Sequence, residues 1–248
     1  MDLRILELNG GQVRNEKTLC LSLPPTAGGY ADAQVDDYGP ASRRSHYPWR
    51  PGILLSLRAR FSHGRDDLVG TAGFGFWNAP FGDPTVRIPA LPQAAWFFFA
   101  SQPSDLPFAE DGPGRGWFAA TIDAGASSAL LTVPLAPAVL LLNQFRGLRR
   151  RIWPWLRRRL NISYTQLPRL MTDWQGYKLH WYSDGCTFIV NDEIVLRTSF
   201  SPRGPLGFVC WIDNQYMVAT AKGRFRWGVL PTAKTQTLEI ADLAISTI

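Results

Sequence analysis

Short runs of alternating apolar and polar positions recur along the chain. The first half contains "TLCLSL" (18–23), "YADAQVDDY" (30–38), "ILLSLRARFS" (53–62), "GTAGFGFWN" (70–78), "AAWFFFAS" (94–101) and "GWFAATID" (116–123). The second half contains "GYKLHWYSD" (176–184), "CTFIVNDEIVLRT" (186–198), "LGFVCWIDN" (206–214), "RFRWGVL" (224–230) and "TLEIADLAI" (237–245). Each run is rich in β-branched or aromatic residues and is bounded by Gly, Pro, Asn or Asp, the pattern of strands between turns. Strands at this spacing predict an all-β sandwich or barrel.

The run at 94–101 places Trp96, Phe97, Phe98 and Phe99 side by side. A strand turns alternate residues to opposite faces, so both of its faces are aromatic. The same alternation groups Trp77, Trp96, Phe98 and Trp211 on one face and Phe74, Phe76, Phe97 and Phe99 on the other. Which set is buried depends on strand register, which the local pattern does not set.

The period changes in "LAPAVLLLNQFRGLRRRIWPWLRRRL" (135–160). There Leu141, Phe145, Leu148, Ile152, Trp155 or Leu156, and Leu160 recur at three- and four-residue spacing. That spacing predicts an amphipathic helix with arginines on its opposite face. Pro154 should divide it into two pieces, because an internal proline removes a backbone hydrogen bond and clashes with the preceding turn. The expected organisation is one domain spanning 1–248 with a helical insertion at 135–168.

Composition adds little to this. The chain is 46% hydrophobic and 19% charged, with ten Trp, 22 Gly and 19 Pro, the balance of a globular β protein rather than a disordered one. The net charge of +6 suggests an anionic partner, but seven arginines and no acid fall within 146–159, so without that segment the +6 becomes −1. Arginines flanked by Trp153 and Trp155 suit a helix lying on anionic lipid, which makes Arg149, Arg150, Arg151, Arg157 and Arg158 the expected membrane-facing cations. A solvated face is the alternative. Nucleic acid is not the expected partner, since the remaining chain is mildly acidic and shows no nucleic-acid-binding motif.

Cys20, Cys186 and Cys210 are scattered and show neither a disulfide framework nor zinc spacing. The expected setting is reducing and cytoplasmic, peripheral at the inner face of the membrane. "MDLRILELNGGQ" lacks the form of a secretory signal, and "LLTVPLAPAVLLL" is too short and proline-broken to span a bilayer.

The segment 174–195 resembles a signature of the concanavalin A-like glucanases, particularly the family 16 glycoside hydrolases. Those chains have an aromatic strand of the form "tYaieW", a turn with Asp, and a strand ending in a "VDG" turn. Tyr177, Leu179, Trp181, Asp184, Phe188, Val190, Asn191 and Asp192 fall in matching places. "GGYADAQVDDY" is similar to the family's early strand, and "GTAGFGFWNAP" to the strand whose Trp borders the substrate cleft. The resemblance implies a jelly roll of two antiparallel sheets, one concave and ligand-holding. It also implies an E-x-D-x-E motif on the strand after the "fW" strand. Here that place is "AAWFFFAS", which contains no carboxylate. Retaining glycosidic hydrolysis needs two carboxyl groups about 5 Å apart, so this departure argues against the family's chemistry.

Acids elsewhere are weaker candidates. Asp36 and Asp37 end the "YADAQV" strand, and Asp32 and Asp36 share one side of it. Converging carboxylates there suit Ca²⁺ or proton transfer, while an acid-rich turn is the alternative. No other cofactor and no metal-ligand spacing is signalled. His180 alternates with Leu179 and Trp181 and so faces away from their apolar side, either as a proton-transfer group or as a structural histidine. Arg58 and Arg60 share a strand face that suits an anionic head group if concave, and is only a solvated face if convex. Trp211, Asp213 and Asn214 offer polar and aromatic contacts at a strand end.

Two function classes follow. In the first, a non-hydrolytic binding protein or enzyme, cyclase- or isomerase-like, holds a hydrophobic or amphiphilic molecule in an aromatic cleft formed by Trp77, Trp96, Phe98 and Trp211. The alternative is a glycan-binding module or divergent glycoside hydrolase, whose tryptophans stack on sugar rings. The lack of polar groups on the 94–101 strand favours the first.

Overall fold

The computed structural model describes residues 2–39, 41, 43–80, 89–106, 114–125, 142, 144–220 and 222–248. Two seven-stranded antiparallel sheets pack as a β-sandwich. The first runs in the order β1 (Arg4–Leu8), β4 (Asp32–Asp36), β13 (Gly207–Asp213), β6 (Thr71–Trp77), β7 (Gln93–Ala100), β8 (Gly116–Asp123) and β9 (Ser163–Gln166). The second runs β12 (Glu193–Thr198), β11 (Gly185–Val190), β10 (Gln175–Tyr182), β5 (Ile53–Phe61), β16 (Gln236–Thr247), β3 (Leu19–Leu23) and β2 (Gln12–Asn15). A separate hairpin pairs β14 (Gln215–Ala219) with β15 (Phe225–Val229).

The run 186–198 forms two strands rather than one. Asn191 and Asp192 have φ of 48° and 64°, the left-handed pair that closes a two-residue hairpin between β11 and β12. Short or irregular strands such as β1, β2, β9 and β14 lack the alternation that marks the others.

The space between the sheets is filled from both sides. Phe74, Phe76, Phe97, Phe99 and Trp117 from the first sheet meet Tyr177, Leu179, Trp181 and Phe188 from the second. Phe97 has ring centroids 4.9 Å from Tyr177 and 5.3 Å from Phe188, and Phe76 lies 5.4 Å from Trp181. One half of the aromatic run is therefore core. The other half belongs to a second apolar cluster on the outer side of the first sheet, with Phe98, Phe118, Val209 and Trp211 buried and Trp77 and Trp96 partly so.

Among the described residues between β8 and β9 lies the helix α1 (Arg146–Arg159). Pro154 sits inside it without dividing it. The helix is held on both sides of the proline: Trp153 is buried just before it, and Leu160 packs on the second cluster just after it. The inward stripe is Arg149, Trp153, Leu156 and Leu160, of which Arg149 and Trp153 are buried, and Arg157 is half-buried over the Tyr164 ring. This corrects two expectations. Leu148 and Trp155, assigned by spacing to the packed side, are exposed, while Arg149 and Trp153, expected to face a membrane, point inward. With apolar residues on both stripes, spacing alone does not select the packed one. Leu141 and most of the apolar stretch before the helix lie outside the described residues. No described helix is long and apolar enough to cross a membrane.

Candidate functional site

The outer side of the first sheet gathers aromatic and acidic side chains on one surface. Antiparallel pairing sets Asp32 opposite Asp213, Gln34 opposite Trp211, and Asp36 opposite Val209. It then sets Asp213 opposite Thr71, Trp211 opposite Gly73, and Gly75 opposite Trp96. Because side chains alternate along each strand, these residues share the face that carries Trp77, Trp96, Phe98 and Trp211.

The rings are close. Trp77 and Trp211 lie 5.9 Å apart, almost parallel at 6°. Trp211 is also 5.6 Å from Trp96 and 5.8 Å from Phe98, and Trp96 stacks on Phe98 at 5.3 Å. Gly73 makes this arrangement possible: a Cβ there would stand 3.0 Å from the Trp211 ring and 2.3 Å from the Phe97 carbonyl oxygen. A larger residue would push the indole off the sheet.

Two hydrogen-bonded strings tie the platform to the acids. In the first, the Trp77 indole N–H donates to the Tyr38 hydroxyl at 2.8 Å, and the Gln34 amide donates to Tyr38 at 3.4 Å and to Asp36 at 2.9 Å. Arg4 closes this string with two bonds to the same Asp36 oxygen, at 3.0 and 2.6 Å. In the second, the Trp211 indole donates to Thr71 Oγ1 at 3.0 Å, and Thr71 donates to Asp213 at 2.8 Å. Asp213 also accepts the backbone N–H groups of Thr71 and Gln215. Across the strand pair, Asp32 lies beside the Tyr30 hydroxyl.

Burial dominates the acids' protonation. It pushes Asp213 up to about 6, against an ordinary 3.8 and against the pull of its hydrogen bonds. Asp32 is raised well above the usual carboxylate range, first by burial and then by the nearby Asp213 charge. Two facing carboxyls in a dry site do not both ionise freely. The sign of the resulting pH dependence follows. Between about pH 4 and 6 the folded chain keeps a proton on Asp213 that the unfolded chain has released, so stability falls as pH rises through this window. Asp213→Asn should flatten that fall by about 2 to 3 kcal/mol, at ~1.36 kcal/mol per unit. Denaturant titrations from pH 4 to 7 measure it; an unchanged profile would remove Asp213 as its source.

Among the described residues on this face, Trp96 Nε1 and Asp32 Oδ1 are buried without a hydrogen bond. Buried polar groups are nearly always paired, so each marks a place where bonding is incomplete; the register sets them three strands and four residues apart on the same face.

Other candidates lie elsewhere. Asp37 is tied to the Trp49 indole and, at 2.8 Å, to the Phe208 backbone N–H, away from Asp36; burial raises it to about 6. Arg58 and Arg60 belong to β5 in the second sheet. They are paired with Asp242 and Glu239 and packed over Trp174, so they do not join the aromatic face. His180 likewise faces outward on β10 of the second sheet, in a shallow groove of about 580 Å³ with Tyr182 and Arg197. Burial and Lys178 lower its pKa. Asn214 is fully buried, accepting from the Ala31 N–H and donating to the Gly29 and Leu230 carbonyls, so it ties loops together rather than facing a ligand. Asp36 is committed to Arg4 and Gln34, and among the described residues no group of three or more His, Cys, Asp or Glu converges to hold an ion such as Ca²⁺.

The sequence missed Tyr30 and the pairing of Asp32 with Asp213. Alternation in "YADAQVD" and "WID" places each acid on the correct side of its strand, but only the β4–β13 pairing brings them together.

No protein-family model matches the chain, and no curated protein matches it in sequence. Among solved structures it is similar to an endo-β-1,4-glucuronan lyase from the fungus Trichoderma reesei, with a TM-score of 0.50, 9% identity, and 99% of this chain and 90% of that chain covered. It is also similar to a glycoside hydrolase family protein from Mycobacterium thermorestibile, with a TM-score of 0.48, 11% identity, and 98% and 92% covered. At such identities, the likeness to the lyase is one of fold: the chain shares its β-sandwich.

Proposed function

We propose that this sandwich is a concanavalin A-like jelly roll that holds a glycan along the aromatic face of its first sheet. The observation that carries it is the surface of stacked tryptophans on that face, along which Trp96 Nε1 and Asp32 Oδ1 are two separate buried polar atoms without a hydrogen bond. Sugar rings need an apolar platform for their C–H faces and hydrogen-bond partners for their hydroxyls, and a hydroxyl both donates and accepts. The Trp96 N–H offers a donor and Asp32 an acceptor. The polar groups missing from the 94–101 strand come instead from Asp213 on β13 and Asp32 and Gln34 on β4, two and three strands away in the same sheet. A purely hydrophobic ligand would leave them unanswered, which is why a glycan fits better than the apolar molecule favoured by the strand pattern.

The acids also bear on which glycan. Asp32, Asp36 and Asp213 bring three carboxyls to this face, and the Arg4 guanidinium is engaged by Asp36. A neutral β-linked oligosaccharide is therefore the better partner, and a polyuronate would meet unscreened carboxyls. A second function rests on Asp32 facing Asp213 across adjacent strands: directly opposed residues have Cα atoms about 4.5–5.5 Å apart, and one carboxyl stays protonated, as an acid catalyst requires.

Calorimetric titration with neutral and uronic β-linked oligosaccharides, followed by product analysis, tests both. Binding of the neutral series alone is expected. Cleavage that disappears in Asp32→Asn while binding persists would establish the hydrolase, and no binding of either series would overturn the glycan assignment.

A further inference from the structure

Two segments outside the aromatic face expose large apolar side chains among arginines. On α1, Leu148, Arg151, Trp155 and Arg158 follow one another at three- and four-residue spacing, and all four are exposed. They form an outward stripe opposite the packed one. Just before the helix, Phe145 is 61% exposed and Leu142 is also exposed. On β15, Phe225 and Trp227 alternate on one side of the strand at 65% and 68% exposure, flanked by exposed Arg224 and Arg226. A hydrogen bond joins the two segments: the Gln144 side-chain amide donates to the Lys222 carbonyl at 2.9 Å, holding the start of the helix beside the turn that leads into β15. The bond brings together two segments that are far apart in sequence.

Isolated exposed apolar residues are ordinary, but six of them gathered on two joined elements mark an interaction surface. The charge on the same elements selects the partner. Residues 144–159 and 222–229 contain no acidic residue and carry Lys222, Arg224, Arg226 and the arginines of α1. A protein partner or a second copy of this chain would have to supply a matching acidic surface, and outside the Arg-rich segment this chain carries a net charge of only −1. A bilayer with anionic headgroups supplies both requirements at once, with negative charge at the surface and an interfacial zone that accepts Trp and Phe rings.

We infer that α1 and the β14–β15 hairpin together seat the protein on an anionic membrane surface. Phe145, Leu148, Trp155, Phe225 and Trp227 enter the interface, while Arg151, Arg158, Arg224 and Arg226 meet the headgroups. The protein rests on the bilayer without crossing it. Two of the residues that anchor it, Phe225 and Trp227, lie outside the helix that first suggested a membrane.

Vesicle co-sedimentation of the full chain tests this. Phosphatidylcholine vesicles with about 30% phosphatidylserine should carry the protein down, and pure phosphatidylcholine should not. Phe225→Ser/Trp227→Ser and, separately, Arg151→Glu/Arg158→Glu should each weaken binding at least about tenfold. Both pairs are exposed, so their melting temperatures should match that of the parent, which separates lost docking from lost folding. Added salt should weaken what remains of binding. Failure of the parent to sediment with anionic vesicles would overturn the inference, as would undiminished binding by both variants. Concentration-dependent self-association that these variants abolish, without vesicle binding, would assign the surface to a second copy instead.

Discussion

Phe97→Ala is expected to destabilise the fold by about 3–5 kcal/mol, while Trp96→Ala, one residue away, should cost about 1–2 kcal/mol and act mainly on binding. The difference follows from the two faces of β7. Phe97 is fully buried between the sheets, and its ring is in contact range of Phe74, Tyr177 and Phe188. Removing it opens a cavity lined by residues of both sheets, which rigid strand pairing keeps from collapsing. Trp96 is only partly buried, and it leans on Trp77, Phe98 and Trp211, which remain stacked without it. Its loss removes one orphaned donor and a third of the tryptophan platform, so oligosaccharide affinity should fall roughly tenfold or more, the scale of an aromatic anchor. Guanidinium denaturation with unchanged slopes reads the first effect and calorimetric titration the second. Equal destabilisation by the two variants, with binding untouched, would make both faces of the strand mere core.

That contrast was partly visible in the sequence. Alternation alone separates Trp77, Trp96, Phe98 and Trp211 from Phe74, Phe76, Phe97 and Phe99, because the side-chain period of a strand is fixed by its geometry. Alternation says nothing about which sheet a strand joins. Arg58 and Arg60 show the same polar-apolar pattern as Asp32 and Gln34, yet β5 pairs with β10 and β16 while β4 pairs with β1 and β13. The arginines therefore end on the outside of the second sheet and the acids on the aromatic face. Asn214 fails for a related reason: at the end of β13 its amide is consumed by three loop carbonyls and N–H groups from distant parts of the chain. In α1 the ambiguity is local. With Trp at both 153 and 155, either stripe could pack, and the anchoring of Leu160 on the second cluster decides it.

The site's polar half depends on a strand that the sequence pattern did not mark at all. Arg4, on β1, is the cation that answers Asp36, whose side chain is completely buried while a fifth of the Arg4 side chain remains exposed. Arg4→Met keeps the apolar stem but takes two charged hydrogen bonds from the buried carboxylate oxygen that the Gln34 amide also meets. Removing one partner of a buried ion pair costs about 3–5 kcal/mol, since the remaining charge keeps its desolvation penalty. Asp36→Asn should cost less, and the double variant should recover most of the loss in Arg4→Met, because it removes the charge that was stranded. The cycle then gives a coupling of at least about 1 kcal/mol. A second consequence separates this site from an ordinary ion pair. Asp36 positions Gln34, which with the Trp77 indole engages Tyr38, so Arg4→Met should also weaken glycan binding although Arg4 lies at the edge of the sheet. Additive costs in the cycle would show that Arg4 merely covers Asp36. Full glycan affinity in a folded Arg4→Met protein would cut the string between the acids and the tryptophans.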